Sequence, residues 1–246
     1  MKMDQKVALV TGSATGVGKA CALSFARLGY AVGVNYSRSE AEAKETAKEI
    51  ESLGVPCLLL RCNVGKETEV RKMIEEITTK FGGLDVLVNN AAMTYFVDHQ
   101  NLDGLTDQVW DDIFQVNLKG TFYCIRAALP WLKERKGNVV NISSVAGLQG
   151  HGSSIPYAAS KAAVNCMTQS LARSLAPNVR VNAVAPGPIL TRWLEGREEM
   201  VQKSLAHTPL QRAAYPEDIA EVVIFLATQA SLMTGQVVVI DGGRTM

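Results

Sequence analysis

Along its whole length the chain alternates short apolar runs with helix-length segments of mixed polarity. Val7–Val10, Ala31–Tyr36, Cys57–Cys62, Leu84–Asn89, Asn138–Ile142, Arg180–Val184 and Gln236–Ile240 are strand-like. Between them Gly18–Leu28, Glu40–Leu53, Glu67–Phe81, Asp107–Glu134, Tyr157–Leu175 and Pro216–Ala227 have helical periodicity, with Gly29, Gly54 and Gly82-Gly83 as stops. The runs are too continuously apolar for a sheet with one wet face, so both faces must be covered by helices. The expectation is an α/β, doubly wound, seven-stranded parallel sheet. A chain of 246 residues, 47% apolar, suits one such domain over residues 1–246.

The turn between the first strand and the first helix reads Thr11-Gly12-Ser13-Ala14-Thr15-Gly16-Val17-Gly18. A dinucleotide pyrophosphate needs a tight turn, a close backbone approach and a helix N-terminus aimed at it. Gly12 is placed for the turn, Gly16 for the approach and Gly18 for helix–strand packing. Ser13, Thr15 and Val17 complete the expected cofactor-binding turn.

Further along, Tyr157 and Lys161 stand one helical turn apart and project from one face. A Tyr so placed can exchange a proton with a bound molecule. A free Tyr, with pKa about 10, is a poor acid/base at neutral pH, and a nearby ammonium is expected to lower that pKa. Ser144, just after strand Asn138–Ile142, stands at the distance from Tyr157 that is usual in the short-chain dehydrogenase/reductase family, which the chain resembles, whereas Ser143 is one residue too far for that pattern.

These landmarks resemble the short-chain dehydrogenase/reductase family, over nearly the whole chain. The turn has that family's Gly-x-x-x-Gly-x-Gly spacing, and Tyr157-Ala158-Ala159-Ser160-Lys161 its Tyr-x-x-x-Lys motif. Asn89-Asn90-Ala91-Ala92 is similar to its Asn-Asn-Ala-Gly segment, with Ala92 as the departure. Pro186-Gly187 and Asp241-Gly242-Gly243 match later landmarks. The resemblance implies a Rossmann-type fold and a hydride-transferring oxidoreductase. It implies Asn117, Ser144, Tyr157 and Lys161 as catalytic residues, with Asn117 holding a water and Lys161 also holding the nicotinamide ribose. It adds Asn63, Val64, Asn90, Ala91, Ala92, Pro186, Gly187, Ile189 and Thr191 to the cofactor site, Ile189 and Thr191 at the carboxamide.

Where many NAD-using relatives have Asp after the second strand, this chain has Tyr36-Ser37-Arg38-Ser39. A carboxylate there would bind the ribose 2′-hydroxyl and repel a 2′-phosphate. Its absence, with a forked cation at Arg38, favours NADP(H), with NAD(H) use left open. Among relatives the resemblance is to 3-oxoacyl-[acyl-carrier-protein] reductases, with sugar and polyol dehydrogenases beside them. Ala176–Val179, where the carrier-protein enzymes often have basic residues, is Ala-Pro-Asn-Val. The alternative from another class is a nucleotide-binding regulator that has lost catalysis.

The expected partner is a small carbonyl or alcohol substrate. A formal net charge of +1 favours neither nucleic acid nor an anionic membrane. No apolar run nears the ~20 residues of a membrane span. The N-terminal residues carry no secretory pattern, and the expected compartment is the cytoplasm. No cluster has metal-ligand spacing. Cys21, Cys57, Cys62, Cys124 and Cys166 read as small core residues. His99 and His207 read as solvated, while His151 is a candidate pocket residue; Asp111-Asp112 and Glu75-Glu76 read as solvated helix faces. Ile189–Arg212 mixes charge with Trp193, Leu194, Met200 and Leu205 and is expected to form a substrate lid containing a short amphipathic helix. The resemblance also implies a homotetramer. Phe122, Tyr123, Ile125 and Leu129, with an apolar edge strand at Val237–Ile240, would supply its surfaces.

Overall fold

The computed structural model describes residues 5–206 and 208–246, without the side chains of Glu198, Met200 and Ser204. His207, and the Glu198 and Met200 side chains expected in the lid, therefore lie outside the described residues.

Seven parallel strands form one sheet in the order β3-β2-β1-β4-β5-β6-β7. They are β1 (Val7–Val10), β2 (Ala31–Tyr36), β3 (Cys57–Arg61), β4 (Val86–Asn89), β5 (Asn138–Ile142), β6 (Arg180–Pro186) and β7 (Val237–Ile240). The helices are α1 (Gly16–Arg27), α2 (Glu40–Ser52), α3 (Glu67–Phe81), α4 (Asp107–Phe114), α5 (Thr121–Glu134), α6 (Ala146–Gln149), α7 (Ile155–Leu175), α8 (Glu198–Leu205) and α9 (Pro216–Thr228). This is the expected doubly wound Rossmann-type architecture.

Side-chain alternation along the strands divides the core in two. Ala8 and Val10 of β1 face a layer containing Cys21 and Phe25 of α1 and Ile219, Val223 and Leu226 of α9. Val7 and Leu9 face the opposite layer, built from Met73 and Ile77 of α3, Cys124, Ala128 and Leu132 of α5, and Leu175 of α7. The sheet order reverses at β1, between β2 and β4. In such sheets the crevice at the strands' carboxyl ends near this reversal takes ligands. No helix among the described residues is long and apolar enough to cross a membrane.

Three local expectations need correction. Asp107–Glu134 is not one regular helix: α4 and α5 are joined by a π-helical segment, Gln115–Gly120. Within that segment Asn117 is held by the Met93 backbone, and a Cβ on Gly120 would stand 2.9 Å from Val64 Cγ2. The short α6 has no sequence signal long enough to announce it. The cysteines are unpaired, but only Cys21, Cys62 and Cys124 are buried; Cys57 is half-buried and Cys166 exposed. Ile125 is 1% exposed and belongs to the core, leaving Phe122 as the exposed aromatic of α5.

Candidate active site

The carboxyl ends of β1, β2, β4, β5 and β6 open into one cleft of about 1530 Å³. Gly12, Thr15, Gly16 and Val17 line one part of it, and Ser144, Tyr157 and Lys161 another. The cleft therefore joins a candidate dinucleotide site to a candidate catalytic site.

The glycine turn is shaped by contacts that side chains would block. Gly12 has φ +61°, and a Cβ there would lie 2.9 Å from Ala91 Cα. Gly16 has φ +57°, while a Cβ on Gly18 would collide with the Gly12 carbonyl. The first two positions thus use a backbone region that disfavours L side chains, and the third brings α1 against the turn. With the N-terminus of α1 beginning at Gly16, the backbone fits a pyrophosphate.

Asn35, which sequence reasoning passed over, clamps this turn. Its Oδ1 accepts from Gly12 N at 3.0 Å, and its Nδ2 donates to the Leu60 and Cys62 carbonyls, each at 3.1 Å. A buried Asn satisfied on both ends ties β2 and β3 to the turn that follows β1. Ser13 departs from its expected place. It is fully buried, donates to the Val10 carbonyl and accepts from Asn35 N, so its hydroxyl stitches the strand ends. Gly18, as expected, serves packing.

Thr11 and Asn90 join the ends of β1 and β4. Thr11 Oγ1 accepts from Asn90 N and Ala91 N, and Asn90 Nδ2 donates to the Thr11 and Gly12 carbonyls. Ala91 and Ala92 line the cleft. Positive φ outside glycine occurs among the described residues at Lys136 and Gln211 alone, so Ala92 stands there without backbone strain. Tyr36, Ser37 and Arg38 lie around the end of β2, with Asn63 and Val64 after β3. Asn63 Oδ1 already accepts from Gly65 N at 3.0 Å, shaping its own loop. The Arg38 carbonyl accepts from Glu40 N at 3.0 Å, while its guanidinium makes no hydrogen bond or ion pair among the described residues. Pro186, Gly187, Ile189 and Thr191 close the remaining side.

The catalytic candidates converge. Lys161 is 4% exposed, and its Nζ donates to the Ile142 carbonyl at 2.8 Å while standing 5.7 Å from the Tyr157 ring centroid. Burial lowers its pKa to about 8. Burial raises that of Tyr157 to about 12, with the Ser144 hydroxyl pulling the other way. The expected lowering of the Tyr157 pKa is thus reversed in this state, because desolvation wins and the ammonium turns to a carbonyl. A phenol in that state holds its proton more tightly than free Tyr, so donation needs a cation brought back beside it.

Ser144 is placed by α6. A Cβ on Gly147 would come 2.5 Å from the Lys161 carbonyl carbon, so that small residue lets α6 lie on α7. Ser143, set aside on spacing, is 3% exposed and donates to the Lys161 carbonyl. Asn117 Nδ2 donates to the Met93 carbonyl at 3.0 Å and to Ser160 Oγ at 3.1 Å, and Ser160 donates to the Tyr157 carbonyl at 2.7 Å. Its side chain therefore braces α7 and the loop after β4.

The expected lid residues contact both ends of the cleft. Trp193 meets the Tyr157 ring edge-on at 6.3 Å, and the Arg197 guanidinium sits 3.6 Å from the Phe96 ring centroid. Segment Glu198–Leu205 is helical, with Val201 buried and a fully outward Lys203–Glu199 ion pair at 2.8 Å. Both His99 and His151 line the cleft, their rings 6.4 Å apart. His99 Nε2 is buried without a partner, so the expected solvated side chain is corrected to a part of the wall.

Comparison with known proteins agrees with this geometry. A family model described as Enoyl-(Acyl carrier protein) reductase matches residues 12–245. The chain is 42% identical to the 3-oxoacyl-[acyl-carrier-protein] reductase FabG of Staphylococcus aureus, over all of both chains. A structure described as a short-chain dehydrogenase/reductase from Burkholderia xenovorans superposes with a TM-score of 0.94 at 36% identity, covering 99% of each chain. Acetoin dehydrogenase from Enterobacter cloacae gives 0.88 at 33% identity, covering 99% of this chain and 97% of that one. By its glycine turn, its Tyr157–Lys161 pair and its full-length likeness to these proteins, the chain belongs to the short-chain dehydrogenase/reductase family of oxidoreductases.

Proposed function

We propose that the chain is an NADP(H)-dependent carbonyl reductase acting on a 3-oxoacyl-type or other small ketone. The observation that carries this reading is one cleft holding both the glycine turn and the Ser144–Tyr157–Lys161 group. The bound nicotinamide cofactor would supply hydride in reduction and accept it in oxidation. Gly12, Thr15, Gly16 and Val17 would hold the pyrophosphate, and Tyr36, Ser37 and Arg38 the adenosine end. Asn63, Val64 and Asn90 to Ala92 would line the adenine and ribose, and Pro186, Gly187, Ile189 and Thr191 the nicotinamide.

Ser144 would donate a hydrogen bond to the substrate oxygen and stabilise the charge developing there. Tyr157 would deliver the proton. Lys161, once drawn from the Ile142 carbonyl to the ribose, would place its charge beside the phenol and ease its deprotonation. Asn117, through Ser160 and Met93, would keep this group in register.

The S. aureus relative's name supports a 3-oxoacyl thioester; the acetoin dehydrogenase likeness favours a small hydroxyketone as the second reading. The uncharged Ala176–Asn178 stretch fits the latter better than docking of an acidic carrier protein. A panel of a 3-oxoacyl thioester, a 1,2-diketone and a sugar, each with NADPH and NADH, separates them. Cofactor binding without turnover of any would instead indicate a regulator.

Residues 189–212 act, in this reading, as a lid whose closure keeps water from the hydride path. Slower amide exchange across 189–206 with NADPH and substrate bound is the expected result; equal protection in both states would mean permanent packing. The assembly we infer is a homotetramer. Phe122 is 38% exposed on α5, and Leu232 and Val239 are exposed beside the sheet edge at 98% and 40%. Covering such an edge avoids uncontrolled pairing, and closed symmetry buries both surfaces. Light scattering at micromolar concentration should give four subunits, and an active monomer would refute this.

A further inference from the structure

The segment after β6 does more than face the substrate side of the cleft. Thr191 Cγ2 would lie 3.3 Å from a Cβ on Gly16, so the segment crosses the dinucleotide turn. The next residue, Arg192, reaches the loop after β2. Its Nη1 and Nη2 donate to Ser39 Oγ at 3.2 and 3.1 Å, and its Nη1 stands 3.5 Å from Glu42 Oε1.

We propose that Arg192 is a second cation of the adenosine 2′-phosphate subsite and a determinant of cofactor specificity. This rests on the NADP(H) reading above. Arg192 then joins Arg38 at one three-residue loop, Ser37-Arg38-Ser39, that carries no carboxylate. The present contacts of Arg192 are those of a cation held in reserve. Its side chain is 50% exposed and that of Glu42 44%, and such exposed pairs add little to stability. A phosphate offers charge-assisted, forked hydrogen bonds, which are shorter and stronger than a bond to a serine hydroxyl. Arg192 therefore exchanges Glu42 for the phosphate, while Ser39 stays within reach of both.

Two consequences follow from that exchange. Specificity is written partly on the lid rather than wholly on the loop after β2. Glu42 becomes an internal competitor, so removing its charge should tighten phosphate binding. A mere strut between Arg192 and Glu42 would not behave this way.

The test is calorimetric titration of the full chain with 2′,5′-ADP and with 5′-AMP, which differ by the 2′-phosphate and contain no nicotinamide. Wild type should prefer 2′,5′-ADP. In Arg192→Ala that preference should shrink by about tenfold or more, with 5′-AMP affinity nearly unchanged. Arg192→Lys should restore part of it, and Glu42→Gln should bind 2′,5′-ADP more tightly than wild type. An unchanged preference in Arg192→Ala, with its loss in Arg38→Ala, would overturn the role of Arg192 and leave the NADP(H) reading standing. No preference in wild type would overturn both.

Discussion

Replacing Tyr157 by Phe should abolish most turnover while leaving cofactor binding close to wild type. The two side chains share a ring, and the ring makes the contacts that hold this position. It meets Trp193 edge-on at 6.3 Å and stands 5.7 Å from Lys161 Nζ. The substitution removes one hydroxyl and, with it, the proton that would reach the substrate oxygen. Ser144 remains able to bind that oxygen, so substrate affinity should change less than turnover. A positioned acid is worth roughly a hundred- to ten-thousand-fold in rate, and the loss should fall in that range. Single-turnover rates and cofactor titrations on the same preparation separate the two effects. If the variant keeps more than about a tenth of wild-type turnover, Tyr157 is not the general acid.

Much of this site was legible because its signals are local. The glycine turn requires residues without a Cβ at fixed places, and Tyr157 and Lys161 share a helix face whatever surrounds them. What escaped depends on contacts distant in sequence. Ser13 looked like a phosphate ligand, but its hydroxyl is used by Val10 and Asn35. Asn35 looked like an ordinary strand residue, although it ties the turn to β3. The π-helical segment at Asn117 makes its contacts with Met93 and Val64, neither of which belongs to that helix. Arg192 meets Ser39 across 153 residues, a pairing that no periodicity announces. The direction of the Tyr157 pKa also needed the fold, since burial and Lys161's turn toward Ile142 oppose what the motif alone suggests.

Lys161→Met should separate stability from function. A buried ammonium with pKa lowered to about 8 destabilises the fold below that pH, because an exposed lysine titrates near 10.4. Between these values the unfolded chain binds more protons, so stability contributed at this position rises with pH. Below pH 8 the full penalty applies, about 3 kcal/mol by linkage; above about 10.4 it is gone. Methionine fills similar volume without charge but gives up the hydrogen bond to the Ile142 carbonyl, worth about 1 kcal/mol. The variant should therefore be more stable at pH 7 by about 2 kcal/mol, raising Tm by roughly 4–8 °C in a chain of this length. That advantage should shrink between pH 8 and 10 as wild-type Lys161 loses its proton. Turnover should nevertheless fall on the order of a hundredfold or more, because no charge remains beside Tyr157 to ease its deprotonation. Thermal unfolding followed across pH, together with turnover, gives both answers. A variant that is less stable than wild type at pH 7, with a difference independent of pH, would show that Lys161 is well accommodated. The site would then store no electrostatic strain for catalysis to use.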